Sequence, residues 1–223
     1  MSFSVAIDGP AASGKSTIAK ELANLLGLVH IDTGAMYRAI TLLCLKNDVD
    51  CQDEPEVIKL LDNASIELTV DEKVFLNGED ITSDIRTSVV SDNVSYIASC
   101  KEVRLFLVKL QREMTKNLSI VMDGRDIGTY VLPDAEVKIF MIASVEKRAR
   151  RRYLENQETG REGTYEDILG NLKKRDYIDS HRDFSPLKPA EDSIILDTSD
   201  LSIEEVVVEC KKIISNKLGK ELV

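Results

Sequence analysis

Gly9-Pro10-Ala11-Ala12-Ser13-Gly14-Lys15-Ser16-Thr17 satisfies the pattern G-x-x-x-x-G-K-[ST]. The apolar run Phe3-Ser4-Val5-Ala6-Ile7-Asp8 precedes it and a helix-patterned segment follows. That strand–turn–helix setting matters because the loop works only where a strand feeds a turn that opens a helix. The glycines let the backbone curl so that successive N–H groups converge on phosphate oxygens, and the helix N-terminus adds partial positive charge there. Gly9 to Thr17 are therefore the expected triphosphate-binding residues, with Lys15 reaching the β- and γ-phosphates and Ser16 offering its hydroxyl to magnesium. The alternative is a Gly/Ala/Ser-rich turn that matches by chance.

Working outward, strand-like and helix-like segments alternate. Ser4–Asp8 reads as a strand and Lys15–Leu26 as a helix with Ile18, Leu22, Leu25 and Leu26 on one stripe and Gly27 as its stop. Leu28–Asp32 reads as a second strand, followed by a helix from about Ala35 to Lys46 that Thr33 is placed to cap. Ser119–Met122 and Val137–Ala143 are near-continuous apolar runs, as in strands covered on both faces. Ser193–Leu196 gives another strand, and Ser202-Ile203-Glu204-Glu205 reads as a capping box opening the last helix. This alternation predicts an α/β fold: a largely parallel sheet flanked by helices, with ligands beyond the carboxyl ends of its strands. From about Ile66 to Asn93 the rhythm breaks into short alternating strands around Asp71-Glu72-Lys73 and Asn77-Gly78, a small antiparallel insert or a surface elaboration without a chemical role.

Composition bounds the function. The chain has 223 residues, enough for one α/β domain with a small insert. A formal net charge of −10 argues against a general nucleic-acid or anionic-membrane binder, which needs a dominant basic face. No basic segment followed by an apolar stretch opens the chain, and the apolar runs are too short to span a bilayer, so a cytoplasmic protein is expected. Cys44, Cys51, Cys100 and Cys210 have neither paired spacing nor nearby histidines, which fits reduced thiols better than disulfides or zinc.

Three further stretches carry candidate chemistry. In Asp32-Thr33-Gly34-Ala35-Met36-Tyr37-Arg38, capping accounts for part of the pattern, whereas Arg38 could grip a second phosphate with Tyr37 beside it. Met122-Asp123-Gly124-Arg125-Asp126-Ile127-Gly128 ends an apolar strand in aspartate, where P-loop proteins place a carboxylate that helps hold magnesium; a structural turn with a local Asp–Arg pair is the alternative. Lys147-Arg148-Ala149-Arg150-Arg151-Arg152 puts five cations in six residues: a mobile lid over phosphates, a solvated face or an RNA-binding run. Arg175 and Arg182 lie about two helical turns apart, with Asp179 between them either orienting one or belonging to a surface ladder.

Taken together these segments resemble the bacterial cytidylate kinase family of nucleoside monophosphate kinases over essentially the whole chain. The likeness rests on Asp8-Gly9-Pro10 with the loop, Asp32 to Arg38, Asp123 to Gly128, Pro133-Asp134-Ala135 leading into Val137–Phe140, and Arg175-Asp176. Gly78-Glu79-Asp80-Ile81 and Ile85-Arg86-Thr87 match the family's enlarged monophosphate-binding region. The resemblance implies transfer of the γ-phosphoryl group of ATP to CMP or dCMP with Mg2+ bound by Ser16 and Asp123. It implies that Thr33, Tyr37, Arg38, Ser95, Arg104, Asp126, Arg175 and Arg182 surround CMP. Lys15, Arg125, Asp126 and Arg175 become the catalytic set, and Arg148 and Arg151 join the ATP site. Many relatives carry serine in place of Thr33, which keeps the hydroxyl. The expected organisation is a single P-loop kinase domain with a core of about residues 1–32, 98–145 and 185–223, a monophosphate-binding region of about 33–97 and a lid of about 146–165; a monomer is expected. Kinases of UMP, AMP or shikimate are the enzymatic rivals. A guanine-nucleotide switch lacks its Asn-Lys-x-Asp segment here, since Asn216-Lys217-Leu218-Gly219 fails at the last position.

Overall fold

The computed structural model describes residues 2–161 and 163–219. The chain forms two compact units, one running to His30 and resuming at Asn117, the other Ile31–Lys116. The first opens with β1 (Ser4–Asp8), in which Val5, Ala6 and Ile7 are fully buried. Next, α1 (Lys15–Leu26) buries Ile18, Ala19 and Leu22 on one stripe. It closes at Gly27, whose left-handed φ of 64° suits a residue without Cβ. After it comes β2 (Val29–Asp32), within which the two units divide.

The second unit begins with α2 (Thr33–Lys46). Its cap is Asp32 rather than Thr33: Asp32 is extended (φ −81°, ψ 92°) and its Oδ1 accepts the Ala35 N–H at 3.0 Å. A capping residue must stand outside helical geometry, and Thr33 is already the first helical residue, buried. Beyond α3 (Glu54–Leu61), the strands β3 (Ile66–Leu68), β4 (Val74–Leu76) and β5 (Glu79–Asp80) form an antiparallel sheet in that order. Asn77 and Gly78, at φ 51° and 83°, turn the chain from β4 into β5, a third strand that the alternation at 66–76 does not reveal. One 3-10 turn (Asp84–Arg86), α4 (Ser88–Ser99) and α5 (Lys101–Met114) complete the unit. Met36, Ile40, Ile85, Ile97, Val103 and Leu107 lie at the centre of its core, each at most 0% exposed. Residues 98–116 group here, not with the sheet-bearing unit as the family layout implies, because the apolar face of α5 packs on α3 and α4.

The chain re-enters the first unit through β6 (Ile120–Gly124), one π-helical turn (Ile127–Val131) and β7 (Val137–Ile142). It then forms α6 (Val145–Glu158), α7 (Tyr165–His181), β8 (Ile194–Asp197) and α8 (Ile203–Leu218). The sheet order is β2-β6-β1-β7-β8, with parallel pairing such as Val5↔Val121, Val5↔Val137 and Ile139↔Ile194. The α8 capping box forms as expected, Ser202 Oγ accepting the Glu205 N–H and Glu205 the Ser202 N–H. Leu22, Val206, Cys210 and Ile214 seal α1 and α8 over the sheet. Among the described residues, no helix is long and apolar enough to cross a membrane.

Candidate active site

The loop after β1 is shaped by contacts that permit no side chain. A Cβ on Gly9 would stand 2.3 Å from the Met141 carbonyl oxygen of the neighbouring strand β7, so only glycine passes there. Gly14, at φ 89°, opens α1. That helix has no side-chain cap and no acidic residue in its first turn, unlike α8, whose first turn is occupied by Ser202, Glu204 and Glu205. Its first N–H groups therefore have no built-in anion, the condition for receiving an external one. Among the described residues, the buried Ser13 hydroxyl has no hydrogen-bond partner. Lys15, 5% exposed, folds back to donate to the Pro10 carbonyl at 2.9 Å.

Charge is concentrated around that lysine. Desolvation, then the guanidinium of Arg125, push the Lys15 ammonium down to about 7, opposed in part by Asp123. Arg175, also buried, is pushed down to about 10 by desolvation and again by Arg125. Its Nε has no hydrogen-bond partner among the described residues. Crowded, dehydrated cations of this kind carry a self-repulsion that a polyanion relieves. Asp179 receives Arg125 Nε at 2.9 Å, and burial raises its carboxyl while Arg125, Arg182 and Arg175 together hold it below the usual range. Its ion partner is thus a residue of another element, which spacing along α7 could not reveal.

Oxygen ligands for a hard cation stand beside the loop. The Ser16 hydroxyl donates to Asp123 Oδ2 at 2.6 Å, and His30 Nε2 lies 2.9 Å from Oδ1. A serine hydroxyl adjoining a carboxylate at a helix start is chemically suited to magnesium, so the residues present fit that ion. Asp126 lies three residues on, 3% exposed, accepting the Ser185 hydroxyl at 2.5 Å with Arg182 Nη2 at 3.8 Å.

Asp8 is a participant whose role sequence patterning does not announce. It ends β1 and accepts the Ile127 and Gly128 N–H groups, both at 2.8 Å, fastening the turn that carries Arg125 and Asp126 to the loop strand. Burial raises its carboxyl to about 7 against the pull of those two N–H groups. The available signals were an ionisable residue closing a strand with an apolar centre and the Asp8-Gly9-Pro10 run itself. Arg148 is buried and donates to the Ala143 carbonyl, to the loop carbonyl of Ala11 at 3.0 Å and in bidentate fashion to Asp176. It therefore ties α6 and α7 to the phosphate loop. Arg151 is held by the carbonyl and hydroxyl of Thr198.

Thr33, Tyr37, Arg38, Ser95 and Arg104 all lie in the other unit. Arg38, on α2, donates through Nη1 to the Ser91 hydroxyl at 2.8 Å and the Ile85 carbonyl at 3.3 Å. Arg104 is 1% exposed, donates to the Ala98 carbonyl at 3.0 Å and sets its guanidinium 5.3 Å from the centre of the Tyr37 ring. Ser95 is buried on α4, which packs against α2. Asp32 Oδ2 receives Arg86 Nη2 at 3.0 Å, bracing the start of α2.

A glycine loop opening a helix from a parallel sheet, with buried cations and an oxygen pair at its lip, defines a P-loop α/β protein. Solved structures agree at the level of fold. A gluconokinase from Sinorhizobium meliloti aligns with TM-score 0.51 at 14% identity, covering 96% of this chain and 92% of that one. The sequence model of the family described as cytidylate kinase matches residues 5–216. A cytidylate kinase of Lactobacillus johnsonii is 51% identical over 216 residues, 96% of this chain and 94% of that protein. One from Bacillus cereus is 50% identical over 221 residues, 98% of each. The chain belongs to the cytidylate kinase family.

Proposed function

We propose that this protein transfers the γ-phosphoryl group of ATP to CMP or dCMP, releasing ADP and CDP or dCDP. The observation that carries the reading is the cationic group at the phosphate loop, buried Lys15 and Arg175 with half-buried Arg125, in a chain of this family. A nucleoside monophosphate, its second phosphate pKa being about 6, is already mostly dianionic at neutral pH and needs no strong general base. Catalysis then reduces to holding two polyanions in line, excluding water and spreading positive charge over the moving group.

In this reading Gly9 to Thr17 cradle the donor phosphates through main-chain N–H groups and the Ser13 hydroxyl, and Lys15 follows the charge between the β- and γ-phosphates. Magnesium, held by Ser16 and Asp123, neutralises phosphate charge when bound. Arg38 takes the acceptor phosphate, and Ser95 and Arg104 read the cytosine edge, whose amine and acceptors differ from those of uracil. Asp126, Arg175 and Arg182 are assigned to the acceptor nucleotide by family likeness, and Arg125 and Arg175 also serve the transferring group. The segment of about residues 146–165, of which residue 162 lies outside the described residues, acts as a lid in which Arg148 steadies the loop, and Arg151 turns to the donor nucleotide when the lid moves. Four buried free thiols accord with a reducing compartment, the cytoplasm.

The test is ADP release with ATP and Mg2+ across CMP, dCMP, UMP, AMP and shikimate. CMP and dCMP should give kcat/KM at least about 10-fold above the others, the scale of one buried hydrogen-bonding group left unpaired. UMP or AMP turned over as well as CMP overturns the acceptor assignment.

A further inference from the structure

We propose that His30 is a positioning residue for the metal-binding carboxylate of Asp123, a role that rests on the reading of Ser16 and Asp123 as the magnesium ligands. His30 lies on β2, the sheet neighbour of β6, and Asp123 is next to the last residue of β6. The ring and the carboxylate meet with side-chain exposures of 11% and 3%, so water does not compete freely for their contact. Nε2 engages Oδ1 at 2.9 Å while the Ser16 hydroxyl engages Oδ2 at 2.6 Å.

The division of labour between the two oxygens carries the inference. The oxygen pair suited to a cation is Ser16 Oγ with Asp123 Oδ2, and the imidazole occupies the other carboxylate oxygen. A carboxylate held at one oxygen keeps its rotation set, leaving the second aimed at Ser16. Groups that orient ligands in this way change metal affinity by about 10- to 100-fold when removed. No other histidine lies near, since His181 is on the exposed last turn of α7, stacked on Tyr177. His30 thus belongs to the metal-binding apparatus although it offers that ion no ligand atom.

The experiment uses the full chain and measures Mn2+ binding to the enzyme–ADP complex by electron paramagnetic resonance, with ADP affinity in the absence of metal measured by calorimetry. His30→Phe, which keeps a ring and loses its N–H, should weaken Mn2+ binding about 10-fold and leave metal-free ADP affinity unchanged. His30→Gln, which restores an N–H at similar reach, should recover most of the loss. Wild-type Mn2+ affinity in His30→Phe overturns the proposal, and so does an equal fall in metal-free ADP affinity, because that marks a merely structural role. Asp123→Asn separates the two readings. If it weakens Mn2+ binding while His30→Phe does not, the His30 role fails and the metal site stands; if Asp123→Asn binds Mn2+ normally, the metal site itself fails.

Discussion

Two sets of cations, one in each unit, stand in different surroundings. In the sheet-bearing unit Arg125, Arg175 and Lys15 crowd one another, and desolvation together with mutual repulsion drags the lysine down to about 7 and Arg175 to about 10. In the Ile31–Lys116 unit the contacts of Arg38 and Arg104 include a hydroxyl, main-chain carbonyls and the face of Tyr37. The first arrangement crowds dehydrated cations together and suits a polyanion of variable geometry. The second directs particular N–H groups, such as Nη1 of Arg38 and of Arg104, and suits a defined set of acceptors. On the proposed assignments Arg125 and Arg175 serve the transferring phosphoryl group, Arg38 the acceptor phosphate and Arg104 the base, so one type of side chain would be put to different uses.

The sharpest way to break this contrast is to remove the charge at the loop. Lys15→Ala should lower kcat for CMP phosphorylation by about 1,000-fold or more while the circular dichroism spectrum and CMP affinity stay near wild type. Near-normal turnover would show that the crowded charge is incidental. Next in size, Arg104→Met should raise the KM for CMP by about 10- to 100-fold and narrow the CMP-to-UMP ratio, with ATP affinity unchanged. Equal weakening of both nucleotides would erase the distinction between directional and charge-based recognition.

The smallest effect concerns stability. Asp8 titrates near 7 in the fold against an ordinary 3.8, so between those values the folded chain holds a proton that the unfolded chain has lost. Its contribution is fully present below about pH 4 and is lost as pH rises through 7, on the order of a few kcal/mol across that window. Asp8→Asn should therefore flatten the pH dependence of the thermal midpoint between pH 4 and 7. Retention of the wild-type slope in the variant would mean that Asp8 is not the group responsible.

Reading from residues alone went far where chemistry is local. The phosphate loop, the Gly27 stop and the Ser202 capping box each depend on a few consecutive residues, and all three form where the pattern puts them. The cap of α2 shows the limit of that method. Asp32 and Thr33 are both good capping types, and the choice went to Asp32, which stands extended at the end of β2 with Arg86 on its second oxygen. The third strand of the small sheet escaped for a similar reason, since two acidic residues without an apolar neighbour pattern give no strand signal until β4 pairs with them.

Spacing and residue type were enough to establish that a triphosphate loop feeds a helix, because glycine freedom and a helix N-terminus act over one turn of chain. Which charge answers which was a matter of folding. Asp179 took Arg125 from 54 residues away, Arg148 reached the Ala11 carbonyl across 137, and His30 met Asp123 across 93. Electrostatic and hydrogen-bonding partners are set by distance in space, and a linear pattern holds no information on such distances until the sheet brings its strand ends together.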